Sequence, residues 1–180
     1  MLRLLHALVL GLVGAGMVHI AVLLLLPSFS GDNVWSRITA ATDPYEPVRL
    51  DRPGVAGLSV SNPDPLFRIV GCRFDLADGI ARIRANGKVP YWSVSIYDRT
   101  GANVYSFNDR SSATGTLDFV LLTPAQTGEI RKEVPDELED SNFIETDIAE
   151  GIAVIRAFAP DQTWTPAVGA FVDTMTCQAV

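Results

Sequence analysis

Three regimes of hydrophobic and polar patterning follow one another along the chain. Residues 4–26 form an apolar run without a charged side chain, bounded by Arg3 and by Pro27-Ser28. At 1.5 Å per residue a helix of this run is about 34 Å long, enough to cross a hydrocarbon core of about 30 Å. The apolar part of a cleavable signal peptide is normally about 7–15 residues. Ser28-Phe29-Ser30 is also a poor small-x-small site, so an uncleaved anchor is expected. Residues 31–42 then read as a short helix, with Asp32 or Asn33 as N-cap and Trp35 and Ile38 on one face. Residues 43–65 carry five prolines together with Gly54 and Gly57, and so read as an extended linker.

The third regime alternates with a period of two, the signature of half-buried strands. Runs over 67–75 (FRIVGCRFD), 80–85 (IARIRA), 89–97 (VPYWSVSIY) and 102–107 are separated by Ala77-Asp78-Gly79, Asn86-Gly87 and Asp98-Arg99-Thr100-Gly101. Turns of this kind between alternating runs predict hairpins, and hence a four-strand antiparallel meander. In the second run Ala81, Ile83 and Ala85 are expected inward, with Arg82 and Arg84 toward water. Residues 117–122, 143–147 and 152–159 add three strands. Thr123-Pro124 and Thr165-Pro166 each read as an N-cap followed by proline in a first helical turn, the second opening a helix over 166–175. The fold class expected is mainly β, with one N-terminal transmembrane helix (1–30) and a short helix with a Pro-rich linker (31–65). An antiparallel β-sandwich or jelly-roll-like domain (66–180), with two or three short helices in the chain, completes it.

Composition sharpens this picture in three places. Twenty of the first 26 residues are apolar, so the membrane segment supplies the apolar excess of the whole. The net charge of −7 excludes nucleic acid as a partner, because phosphate binding needs a local surplus of Lys and Arg. That charge is also local. Residues 133–180 hold one basic and ten acidic side chains, eight of the acids lying within 133–150. No loop there has calcium-ligand spacing, so the stretch reads as a solvated acidic surface, with docking of a basic partner or a weak cation site as the alternatives.

Chemistry is limited first by histidine. Both histidines, His6 and His19, lie in the apolar run, which removes triad, Cys-His and histidine-ligated metal chemistry from the remainder. No metal or cofactor is expected, and the reading is a non-enzyme. The candidate binding residues are Asn108, Asp109 and Arg110 at a strand end, where a hydrogen-bonded turn is the plainer explanation. Tyr91, Tyr97 and Tyr105 could stack on sugars or lipids, or merely stabilise the sheet. A histidine-free enzyme using Asp98, Asp109 and Arg110 is the remaining class. Cys72 and Cys177 would meet oxidising conditions in an exported domain, where a bridge would tie a terminal helix to the sheet. Within the apolar run Ala7, Gly11, Ala15 and His19 recur every four residues. Small residues so spaced let membrane helices approach closely, although Gly and Ala are common in such helices anyway. The N-terminal amine and Arg3 favour a cytoplasmic N-terminus, a bacterial inner-membrane location and a periplasmic body.

Phe74-Asp75-Leu76, the block Tyr91-Trp92-Ser93-Val94-Ser95-Ile96-Tyr97-Asp98 and Phe107-Asn108-Asp109-Arg110 carry a further signal. With the LHALVLGLVGAG anchor, they make the chain resemble the small membrane-anchored bacterial proteins of domain-of-unknown-function family 1254. The resemblance implies a single N-terminal anchor, an all-β exported domain and no assigned activity. It also implies a companion, a second small anchored protein of a related family, which the small-residue stripe would contact in the bilayer. Larger members have an additional domain, which this chain is too short to contain.

Overall fold

The computed structural model describes residues 1–29, 34–52, 64–112 and 115–180. They fall into two compact units, Met1–Asn33 and Val34–Val180. The first is the helix α1 (Leu2–Phe29), of which Leu2–Leu26 is long and apolar enough to cross a membrane, as a signal sequence also would be. The Asp32 and Asn33 cap positions and residues 53–63 of the Pro-rich stretch lie outside the described residues.

The second unit is mainly β. Its elements, in chain order, are α2 (Val34–Ala41), β1 (Pro47–Arg49), β2 (Phe67–Asp75), β3 (Ala81–Ala85), β4 (Trp92–Asp98), β5 (Asn103–Asn108) and β6 (Leu117–Leu122). There follow α3 (Pro124–Ile130), β7 (Asn142–Glu145), β8 (Glu150–Phe158), α4 (Thr165–Asp173) and β9 (Thr176–Ala179). Five strands form one sheet in the order β1-β2-β8-β4-β5, and four form the other in the order β7-β6-β3-β9. All pairings are antiparallel except β6 with β7, which is parallel.

Alternation puts one face of each sheet into a shared core. Val70, Cys72, Phe74, Trp92, Val94, Ile96, Ala153 and Ile155 enter it from the five-stranded sheet. Ala81, Ile83, Leu117, Phe119, Leu121 and Ile144 enter from the other, and α4 adds Val168, Phe171 and Val172. Phe107 packs edge-on to Trp92 at 5.8 Å and to Phe119 at 5.1 Å, linking the sheets through perpendicular rings.

The expected meander is corrected. Of its four strands, β2 to β5, only β4 and β5 pair as a sequential hairpin, closed by the turn at Asp98. Strand β2 pairs with β8 over nine positions, from Phe67 opposite Phe158 to Asp75 opposite Glu150. Strand β3 sits centrally in the other sheet, between β6 and β9. The segments at 77–79 and 86–91 therefore carry the chain between sheets. Local turn chemistry bends the chain without saying which strand it will pair with, and here long-range burial decides.

Three smaller corrections follow from the same packing. Arg82 is buried, because the segment 136–141 covers the outer face of its sheet. There its guanidinium forms a two-pronged pair with Asp118 at 3.1 and 2.7 Å, and Ser141 donates to the same carboxylate at 2.9 Å. Thr165 is not the cap of α4: Trp164 holds that position without a side-chain hydrogen bond, and the helix stops at Asp173 so that β9 can start at Thr176. Thr123 does cap α3, in a reciprocal capping box with Gln126. The stretch read as linker also contributes β1, which borders β2.

Candidate functional site

The three tyrosines do not form one platform. Tyr97 lies on the outer face of the five-stranded sheet, in register with Ile152, and Tyr91 is half-buried just before the same strand. A bulge in the β4–β5 ladder places Tyr97 opposite Asn103, while Ile96 stands opposite Tyr105. Since Ile96 points into the core, Tyr105 lies on the inner side of edge strand β5, where its ring meets Phe107 at 5.9 Å. The sheet itself separates Tyr105 from Tyr97.

Asn108, Asp109 and Arg110 form a capped turn. The Asn108 side chain accepts from the Arg110 amide at 3.0 Å and caps a single 3-10 turn over Asp109–Ser111. Arg110 is exposed and makes no ion pair with Asp109. Asp98 is likewise spent on its hairpin. Its Oδ1 accepts from the Thr100 amide and hydroxyl and from the Ala102 amide, and these bonds, the Thr100 hydroxyl first, hold its carboxyl below the ordinary range. Asp98 thus serves the β4–β5 hairpin turn, while Asp109 and Arg110 belong to a separate 3-10 turn. Among the described residues no three His, Cys, Asp or Glu side chains come together as a metal site. On α1, the faces of Ala7, Gly11, Ala15 and His19 are all exposed.

Cys72 and Cys177 are disulfide-bonded, with Cα atoms 6.5 Å apart. Cys177 sits on β9 and not on a terminal helix, so the bridge joins the two sheets through the core.

The most distinctive polar arrangement is one that residue-by-residue reading passed over. On the outer face of the five-stranded sheet Arg156 of β8 donates to Ser95 at 3.4 Å. Ser95 receives a further bond from Ser106 at 3.2 Å, and Asn103 donates to Ser106 at 2.9 Å. The pKa of the Tyr97 phenol is lowered, chiefly by the neighbouring Arg156 guanidinium and against the opposing effect of burial, with the nearby Asn103 and Ser95 side chains adding to the lowering. Beside this row, α2 covers the apolar half of the sheet: Ile38 packs on Ile152, joined by Trp35, Leu50 and Val154. Gly71 makes room for Leu50, since a Cβ there would meet Leu50 Cδ1 at 3.0 Å and Ile152 Cδ1 at 3.1 Å. Between α2 and the polar row runs a groove of about 320 Å³. The legible signal was that Arg156 is the only basic residue after Lys132, set in the otherwise uncharged run of residues 151–159.

The VPA0106 protein of Vibrio parahaemolyticus superposes with a TM-score of 0.51 at 15% identity, over 64% of this chain and 28% of that one. An uncharacterized protein from Burkholderia cenocepacia gives 0.48 at 15% identity, over 80% of this chain and 37% of its own. The chain thus spans about a third of the length of either. No curated protein matches it. The family model described as a protein of unknown function, DUF1254, matches residues 60–179, which hold every strand of the sandwich from β2 through β9, and the chain belongs to that family.

Proposed function

We propose that this protein is a single-pass bacterial inner-membrane protein whose β domain is exported to the periplasm and acts by contacting another envelope component, without catalysis of its own. The observation that carries the reading is the Cys72–Cys177 bridge downstream of an N-terminal apolar helix. Structural disulfides persist in the periplasm and not in the bacterial cytosol. The second support is chemical. No histidine lies beyond His19, and the carboxylates and arginine first considered for catalysis are dispersed among local turns.

The bilayer is the first partner. A second small anchored protein, docking on the Ala7-Gly11-Ala15-His19 face of α1, is the second. A photocrosslinking residue at Leu8, beside the stripe, and another at Val13, on the opposite face of the helix, would test this. Adducts to one small membrane protein from a single face support the docking, and equal lipid-only labelling from both faces contradicts it. Sugar or lipid binding by a three-tyrosine platform is not favoured, because Tyr105 and Tyr97 lie on opposite faces of the sheet.

A further inference from the structure

We propose that the groove between α2 and the outer face of the five-stranded sheet binds a single-chain amphiphile with a carboxylate head, a medium-chain fatty acid in chemical class, with Arg156 and Tyr97 taking the head.

Charge carries the first part of the argument. Arg156 is half-buried, its guanidinium donates to the Ser95 hydroxyl at 3.4 Å, and Tyr97 lines the same groove. It forms no ion pair with a carboxylate among the described residues, whereas Arg49 and Arg82 each take one with both prongs. A half-buried guanidinium that faces an open groove without a carboxylate is an anion receptor, because its planar donors match the two oxygens of a carboxylate. Tyr97 adds a phenol hydroxyl beside it.

Shape and polarity carry the second part. Away from Arg156 the lining is Trp35, Ile38, Leu50, Ile152 and Val154, so a bare anion would leave that surface uncovered. At about 320 Å³ the groove lies at the small end of ligand pockets, the size of one short chain and too small for a two-chain lipid. Asp98 lies on the rim with its Oδ1 turned into its own hairpin. Its negative charge disfavours a doubly charged phosphate more than a singly charged carboxylate. The assignment does not depend on the partner-binding reading of the domain.

The test uses the full chain in phosphatidylcholine nanodiscs, titrated calorimetrically with octanoate, octanol and inorganic phosphate against empty discs. Expected are saturable octanoate binding at least tenfold tighter than octanol, and no binding of phosphate. Arg156→Gln should weaken octanoate about tenfold and leave octanol unchanged, and Trp35→Ala should weaken both. Octanoate binding unchanged in a folded Arg156→Gln protein, or equal to that of octanol, would overturn the proposal. Saturation by phosphate alone would overturn it too, by showing a headgroup site with no use for the apolar wall. Should Arg156→Gln fail to fold, the octanoate-to-octanol ratio of the unaltered protein and its fall with added salt decide the question.

Discussion

Cys72 of β2 and Cys177 of β9 belong to different sheets, and their bond fastens the last strand of the domain across the core to the first long one. The bridge closes a separation of 105 residues. By the chain-entropy argument a loop of that size is worth about 4–5 kcal/mol. Cys72→Ala or reduction should therefore lower the free energy of unfolding by about 3–5 kcal/mol in urea titrations. A loss below 1 kcal/mol would mean that the two cysteines do not restrain the unfolded chain together.

Gly151 lies where three elements meet. A Cβ at this position would sit 2.6 Å from the Tyr97 carbonyl oxygen, 2.8 Å from Phe74 Cζ and 2.9 Å from Ile148 Cδ1. The first of these is backbone in a central strand and cannot swing away. Gly151→Ala is expected to cost about 2–3 kcal/mol by overpacking, despite the better strand propensity of alanine. Thermal unfolding followed by near-ultraviolet circular dichroism checks it.

Asp118 and Arg82 are neighbours across β6 and β3, and removal of one leaves the other buried in charged form. Asp118→Asn should cost about 3 kcal/mol, the low end for a buried pair because the carboxylate is partly accessible. Arg82→Met combined with Asp118→Leu should cost clearly less than that single change, since no unpaired charge remains. Equal losses in the two proteins would show that the pair itself supplies the stability.

Asp51 gives the fold its clearest acid sensitivity. Burial pushes its carboxyl upward, yet the two-pronged Arg49 bond, at 2.8 Å on each side, and backbone amide bonds outweigh burial and leave its pKa lowered. A carboxyl depressed on folding adds stability that is fully present above its unfolded pKa of about 3.9 and is lost as pH falls through the lower folded value. Urea midpoints of the native protein should therefore fall more steeply between about pH 4.5 and 2.5 than those of Asp51→Asn. Parallel pH profiles would show that the Arg49 pair does not persist in solution.

The sequence carried the strands themselves well, because alternation reports which faces are buried. FRIVGCRFD and WSVSIYD became β2 and β4, and Thr123 with Gln126 stated the start of α3 in full. Partnership was not written locally. The Asn86-Gly87 signal bends the chain equally well within a sheet or between sheets, and only the burial of β3 between β6 and β9 selects the second. Arg82 was misplaced for a related reason: nothing near it announces that Leu138 and Ser141 will cover its face. The candidate groove stayed hidden because it combines α2, Leu50, β4 and β8, which are distant in the chain. Tyr97 was legible, but its partner Arg156 is 59 positions away and belongs to another strand.

Thiol trapping in intact cells tests directly whether Cys72 and Cys177 are bonded in an exported domain. Growing cells are quenched in acid and treated with a maleimide carrying a large polymer, with and without prior reduction, and the full chain is resolved on a gel. The prediction is no mobility shift before reduction and a shift of two adducts after it. Two adducts without reduction would place both thiols free, and would contradict the exported, disulfide-pinned domain.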